Sequence, residues 1–443
     1  MELKIKIGGT LRPWLGALLL LACIGRAESP TAEMPLEYWL ADSAPFWTWD
    51  PATFEKQAAP LGFRWTQEGR SARAAPLQGE FFGKPAYESV VRFADGAPGS
   101  IIISYFNRGD AENALNQPDF ESLVRELMTS ITTTLRVQPR PGNNQSARTS
   151  VRDDSRIWQR PAIQFELSYS YTPPMSGEPF RAEYVRLTAK KFTAGEMPSH
   201  AITAVNPYAV RAHVTRDIDS GDVWIQNIPM VDQGPKGYCA AATAERVLRF
   251  FGQEVDQHQI AQIANTTSGG GTSTDDLKKA LSAVCRQYDF SLNTHMEWDF
   301  RDFTREIDRY NRQARKNSTR EVLIPREGVI MIAHIYQALD PETYKESRMG
   351  RETEVNKFKE RVEKYVNAGC PLSWGVSLGM FEESTPTGVG GHLRLIIGYN
   401  WKKNQIIYSD SWGQGHGKKY LPLDQAFTIT QSLFSLEPKG LRL

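Results

Sequence analysis

A loop marked by glycine and proline runs straight into a helix-forming segment, with a cysteine at the junction. No other stretch constrains the chain as much. The loop is Gln233-Gly-Pro-Lys-Gly-Tyr-Cys239, followed at once by Ala-Ala-Ala-Thr-Ala-Glu-Arg-Val-Leu-Arg-Phe-Phe-Gly252. The alanine-rich start favours helix, Val247, Leu248, Phe250 and Phe251 supply a buried face, and Gly252 is a C-terminal stop. A thiol at a helix N-terminus feels the positive end of the dipole and nearby backbone N–H groups. Both favour the thiolate, lowering the thiol from its ordinary pKa of roughly 8.5 toward neutrality.

A second constellation lies near the C-terminus. Gly390-Gly391-His392 leads into the apolar run Leu-Arg-Leu-Ile-Ile-Gly-Tyr-Asn400. A turn at Lys402-Lys403-Asn404 is followed by Gln-Ile-Ile-Tyr-Ser-Asp410-Ser-Trp412-Gly413. A histidine thus opens one expected strand and an aspartate closes the next, and an antiparallel hairpin brings those two ends together.

Gln233, then Cys239 at a helix start, then a distant His392 and Asp410-Ser-Trp412-Gly, resemble the papain-type cysteine peptidases in order and in Gln-to-Cys spacing. Within that group the motifs Gln-x5-Cys-Ala-Ala-Ala, His-Leu-Arg-Leu-Ile-Ile-Gly-Tyr-Asn and Tyr-Ser-Asp-Ser-Trp-Gly are most similar to the bacteriocin-processing, double-glycine-leader peptidases and their stand-alone relatives. The resemblance covers Trp224 to Phe434, about half of the chain. The plant-type Cys-Gly-Ser-Cys-Trp signature is absent, and Asp410 stands where papain has asparagine. No transporter segments follow.

The resemblance implies an α+β fold: a papain-like C-terminal domain, its N-terminal helix bearing the cysteine and its antiparallel sheet bearing histidine and aspartate. It implies a nucleophile (Cys239), a base (His392), an orienting carboxylate (Asp410), an oxyanion donor (Gln233) and a ring, Trp412, covering the His–Asp hydrogen bond. Gly237, Tyr238, Gly270 and Gly391 are candidates for the substrate cleft. His416 is a rival base but follows the Trp-Gly pair. His200, His213, His258, His295 and His334 show no nucleophile partner in the sequence and default to structural roles.

The chain's 443 residues suffice for two or three domains, and 40% apolar with 23% charged residues describes an ordinary globular composition. A net charge of +1 with interspersed signs gives no electrostatic case for nucleic acid. Lys4, Lys6 and Arg12 precede the apolar run Trp14 to Gly25, which reads as a signal peptide over 1–27 with cleavage after Ala27. Leu20-Leu-Ala-Cys23 also resembles a lipoprotein box, so Cys23 is a candidate lipid anchor and the only expected membrane link. Cys285 and Cys370 read as small buried hydrophobes, with a disulfide between them the alternative. No metal-ligand spacing occurs, and the Gly269-Gly-Gly271 stretch lacks the ending of a phosphate loop. No metal or cofactor is implied.

Residues 28–61 carry aromatics without a period and read as an irregular lead-in. Residues 62–194 suit a smaller α+β domain of unassigned role. Its features are strands at Tyr87–Phe93 and Ile101–Tyr105 around an Asp95-Gly96 turn, a helix opened by Pro118, and strands at 162–169 and 183–187. Residues 195–221 read as a linker and 222–443 as the peptidase domain. The expected function is an exported cysteine peptidase acting on peptide or isopeptide bonds through a Cys-His-Asp triad and a thioester. A transferase or amidase on the same triad, or an inactive binding protein of this fold, are the alternatives.

Overall fold

Alternating apolar runs in the first half of the chain build one large antiparallel sheet. The computed structural model describes residues 35–109, 114–142, 151–174, 179–192, 207–234, 238–253, 255, 257–263, 274–297, 299–325, 332–383 and 390–441. Residues 36–61, expected to be irregular, form 3₁₀ turns at Leu36–Leu40, Pro45–Thr48 and Ala59–Leu61 around helix α1 (Pro51–Ala58). Local chemistry explains this: Asp50 caps α1 by accepting from the Thr53 N–H at 2.7 Å, and prolines occupy first-turn positions.

The strands that follow are β1 (Arg64–Gln67), β2 (Ser71–Ala74), β3 (Glu80–Phe81), β4 (Lys84–Pro85), β5 (Glu88–Ala94) and β6 (Ala97–Asn107). Beyond helix α2 (Gln117–Leu135) come β7 (Arg140–Pro141), β8 (Arg152–Gln159), β9 (Ile163–Thr172) and β10 (Arg181–Lys191). Eight of these pair antiparallel in the order β1-β2-β5-β6-β10-β9-β8-β7, while β3 and β4 form a separate hairpin. The tight β5–β6 turn uses positive φ at Asp95 and Gly96. Helix α2 buries Phe120, Val124, Leu127 and Ile131, one stripe at helical spacing. They join Trp158, Phe165, Leu167, Val185 and Leu187 in a single apolar core.

The region read as a linker contributes helix α3 (Pro207–Arg211) and strand β11 (Val214–Arg216), which pairs with β12 (Val223–Ile225). Helix α4 (Cys239–Phe250) is followed by α5 (Gln257–Ile263), α6 (Thr274–Gln287) and β13 (Phe290–Met296). Then come helices α7 (Phe300–Asn317), α8 (Ile332–Gln337), α9 (Pro341–Met349) and α10 (Glu352–Asn367). The chain finishes with β14 (Leu372–Leu378), β15 (Gly390–Asn400), β16 (Gln405–Ser409), β17 (Lys419–Pro422), α11 (Leu423–Ile429) and β18 (Thr430–Pro438).

The second sheet runs β11-β12-β15-β14-β18-β13, with β16 paired to β15 and β17 to β16. Every residue of β14 is buried, Ser373 and Ser377 included, so both faces of this central strand are covered. Gly369, at φ 77° just past α10, lies where a Cβ would stand 2.6 Å from the Val210 carbonyl oxygen. Only glycine ends the helix there without a clash. Phe303, Ile307, Tyr310, Ile335, Tyr336 and Tyr344 on α7, α8 and α9 form their own apolar cluster.

Residues 36–443 form one compact unit. Among the described residues no helix is long and apolar enough to cross a membrane.

Candidate active site

Helix α4 is buried from Ala240 to Leu248, so it runs through the interior rather than along a surface. Its small first-turn residues, three alanines and Thr243, allow the close approach of β15. The Thr243 hydroxyl donates to the Leu393 carbonyl at 3.1 Å, fastening the helix beside His392. The N-terminus of α4 places Cys239 at its first residue, half-buried, with the backbone N–H groups of Ala240 and Leu393 near enough to favour its thiolate.

His392 enters β15 opposite Val376 of β14 and is 7% exposed. Its Nε2 lies 2.6 Å from Oδ1 of Asp410, the residue that follows β16, and its ring lies close enough to the Cys239 thiol for each to shift the other's ionisation. With Nε2 donating to the carboxylate, Nδ1 is left to face the sulfur. The β15–β16 hairpin, which pairs Leu395 with Ser409, brings these ends together.

Electrostatics follow from this geometry. Burial alone would push the Cys239 thiol up, but the hydrogen bond and charge of His392 and the two backbone donors hold it below its ordinary value. Burial would depress His392, yet hydrogen bonds and charge from Asp410 and Cys239 raise it to about 9. Burial opposes ionisation of Asp410, and His392 and Arg394 overcome it, holding the carboxyl at about 2. The pair therefore favours thiolate and imidazolium. Cys285, by contrast, is pushed up to about 12 by burial, and Cys370 is also raised by burial. All three described cysteines are free, so there is no Cys285–Cys370 disulfide.

Gln233 is 5% exposed and doubly tied to the residue after Asp410. Its backbone N–H donates to the Ser411 carbonyl at 2.9 Å, and its Oε1 accepts from the Ser411 hydroxyl at 2.7 Å. Asp232 forms a β-bridge with Trp412, whose ring centroid is 5.2 Å from that of His392. His416 does not reach the sulfur site. Its carbonyl accepts from the Asp410 N–H at 2.9 Å and from the Ser409 hydroxyl at 3.2 Å, and burial lowers its imidazole.

Of the expected cleft residues, Gly391 is exposed at the start of β15. Tyr238 corrects its expectation: it is 1% exposed, and its hydroxyl accepts from Asn107 Nδ2 of β6 at 3.2 Å. Its ring is occupied in packing and cannot line an open cleft. Gly237 and Gly270 lie outside the described residues.

Two contributors were not read from the sequence. Ser411 stands in the sequence only as part of the Asp-Ser-Trp motif, although a hydroxyl beside Asp410 is a natural tether for Gln233. Arg394 is fully buried under Asp410, with Nε 3.8 Å from Oδ2, and is gripped by Glu383 at 2.7 and 3.1 Å. Its guanidinium lies over the rings of Trp374 and Tyr408, at 5.3 and 4.6 Å. A cation inside the apolar run of β15 was the signal for it. Among the described residues no group of three or more His, Cys, Asp or Glu side chains could hold a metal ion.

Residues 329–432, which include His392 and Asp410 but not Cys239, match the family model described as the Peptidase_C39 like family. This part of the chain resembles the C39-like cysteine peptidases. A solved structure also matches: the peptidase domain of Streptococcus ComA, described as a bifunctional ABC transporter involved in a quorum-sensing pathway. It is 11% identical, with 48% of this chain and 100% of that one covered and a TM-score of 0.26. No curated protein matches the chain.

Proposed function

We propose that the chain is an exported, papain-like cysteine peptidase that cleaves peptide or isopeptide bonds through Cys239, His392 and Asp410. The observation that carries this reading is the convergence of the Cys239 thiol on a histidine whose other nitrogen is 2.6 Å from a buried carboxylate. The family match over 329–432 supports the peptidase class and a peptide or protein substrate.

The thiolate of Cys239 attacks the scissile carbonyl carbon, the proton already residing on His392. The carbonyl oxygen takes up negative charge, which the side-chain N–H of Gln233 and the backbone N–H of Cys239 stabilise; one such donor is worth about 3 kcal/mol in comparable enzymes. His392 gives its proton to the leaving nitrogen, the C–N bond breaks, and a thioester remains. Water then attacks as His392 takes its proton, releasing the acid and restoring the thiolate. Asp410 keeps the ring oriented and charged, and Trp412 shields their hydrogen bond. The basic start and apolar run of residues 4–25 support export, either with cleavage after Ala27 or with a lipid on Cys23.

The test is alkylation of Cys239 by iodoacetamide at pH 6, together with cleavage of a peptide library. Fast labelling and products, both lost in Cys239→Ser, uphold the proposal. Labelling no faster than a free thiol would reject it. Products that appear only with an added amine acceptor would convert it to a transferase.

A further inference from the structure

The loop that carries Gln233 and Cys239 is held at both ends by the N-terminal sheet. At its start, Arg73 of β2 reaches Asp232 with Nη1 3.4 Å from Oδ2, while its Nε donates to Glu88 at 2.6 Å. A Cβ on Gly234 would stand 3.0 Å from the same guanidinium. At its end, Asn107 of β6 donates to the Tyr238 hydroxyl at 3.2 Å. Gly109 follows closely: a Cβ there would lie 1.5 Å from the Tyr238 hydroxyl oxygen. Contact this close leaves no room for any other side chain.

His258 of α5 completes the arrangement from the peptidase side. Its Nε2 is 3.1 Å from Glu88 Oε2, and its Nδ1 is 2.7 Å from Asn107 Nδ2. With Nε2–H donating to the carboxylate, Nδ1 accepts from Asn107, whose amide thus uses one proton on His258 and the other on Tyr238. Glu88, Asn107, His258 and Tyr238 are all at most 6% exposed. A buried, mutually satisfied polar set of this kind fixes one arrangement of its members rather than merely adding adhesion. Arg92 of β5 adds an ion pair to Glu245 on α4 at 3.0 Å.

We infer that the N-terminal sheet is a permanent half of the active site, with Asn107 and Arg73 as positioning residues that hold Tyr238 and Asp232 so that Cys239 and Gln233 face one reacting carbonyl. This rests on the peptidase reading and assigns the N-terminal half a role in it. The half is neither a detachable leader nor an inhibitor laid across the cleft. It grips the loop from behind, through the residues next to the reacting ones rather than through those residues themselves.

The experiment uses the full chain with Asn107→Ala, Tyr238→Phe, the double variant and Arg73→Lys. Melting temperature, kcat and KM on a cleaved peptide, and the iodoacetamide rate at Cys239 against pH are followed for each. Expected is a loss of about tenfold in kcat for each of the first two, with KM within about twofold; Asn107→Ala, which orphans buried polar groups of His258 and Tyr238, should also melt lower than Tyr238→Phe, and the double variant should be no worse in kcat than either single. The Cys239 labelling profile should shift toward higher pH in step with kcat. Unchanged kcat and unchanged labelling in variants of an active wild type would overturn the inference while leaving the peptidase reading intact. A rise in kcat would also overturn it, showing an inhibitory half. If Asn107→Ala fails to fold, Tyr238→Phe, which removes only one oxygen, decides alone. A wild-type chain with neither products nor fast labelling would instead sink the peptidase reading itself.

Discussion

The Ser411 hydroxyl donates to Oε1 of Gln233 at 2.7 Å, so the residue after Asp410 orients the carboxamide that precedes Cys239 by six positions. With its oxygen engaged by Ser411, the carboxamide is held in one orientation. Gln233→Ala is expected to lower kcat by about 10²–10³-fold with little change in Cys239 alkylation. Ser411→Ala, which lets the amide turn over, should cost about tenfold. Single-turnover acylation rates measured beside alkylation rates check both. Equal effects on the two rates would remove Gln233 from the oxyanion role.

The raised imidazole and lowered thiol set the pH dependence. Activity should be flat where thiolate and imidazolium coexist, falling on the acid side as Cys239 is protonated and on the alkaline side as His392 loses its proton near pH 9. Folded-state stability should follow the same signs. The His392 contribution is complete below about pH 6.5 and fades as pH rises through about 9. That of Asp410 is complete above about pH 3.9 and is lost as pH falls through about 2. A pH–kcat/KM profile and denaturant titrations across pH check the assignment.

Asp410→Asn keeps a hydrogen-bonding oxygen and removes the charge. The alkaline limb should move down by about one to two pH units, because a carboxylate in contact raises its partner by that order. An alkaline limb still near 9 in this variant would transfer the origin of the raised imidazole to the thiolate alone.

Arg394→Met should lower stability by about 3–5 kcal/mol, since Glu383 then loses its bidentate partner in a buried setting. Adding Glu383→Gln should restore part of that loss. Urea denaturation of the wild type, both singles and the double variant reads the coupling. A double variant as unstable as the sum of the singles would show that the pair is not coupled.

Only one described cysteine should react in the native chain. Cys285 and Cys370 are buried and held as neutral thiols. Mass spectrometry after brief iodoacetamide treatment is expected to find label at Cys239, with the other two labelled after unfolding. Label at Cys370 in the native state would contradict its complete burial.

The short-range grammar of the chain was plain in its residues. The Asp95-Gly96 turn and the helix opened around Pro118 depend on neighbours in sequence, and each lies where that grammar puts it. So does the hairpin bringing His392 to Asp410, because a turn and two alternations specify it locally. Long-range packing was illegible. Nothing around Asn107 or Glu88 announces that these strand residues meet His258 and Tyr238 over a separation of more than a hundred residues, since polar residues on strands usually face solvent. Tyr238 departs from its expectation for that reason: its place beside Cys239 suggests a cleft wall, while its neighbour Asn107 comes from another sheet. Strand β11 was hidden because three residues carry no usable period.

Helix α4 has packing on every side of its first nine residues after Cys239, and this bears on how such an enzyme could diversify. A rod enclosed on all sides offers almost no position at which a new side chain could be tried without disturbing its neighbours. Variation in what the protein recognises must therefore accumulate in segments outside this helix, while the helix itself stays monotonous from one descendant to the next.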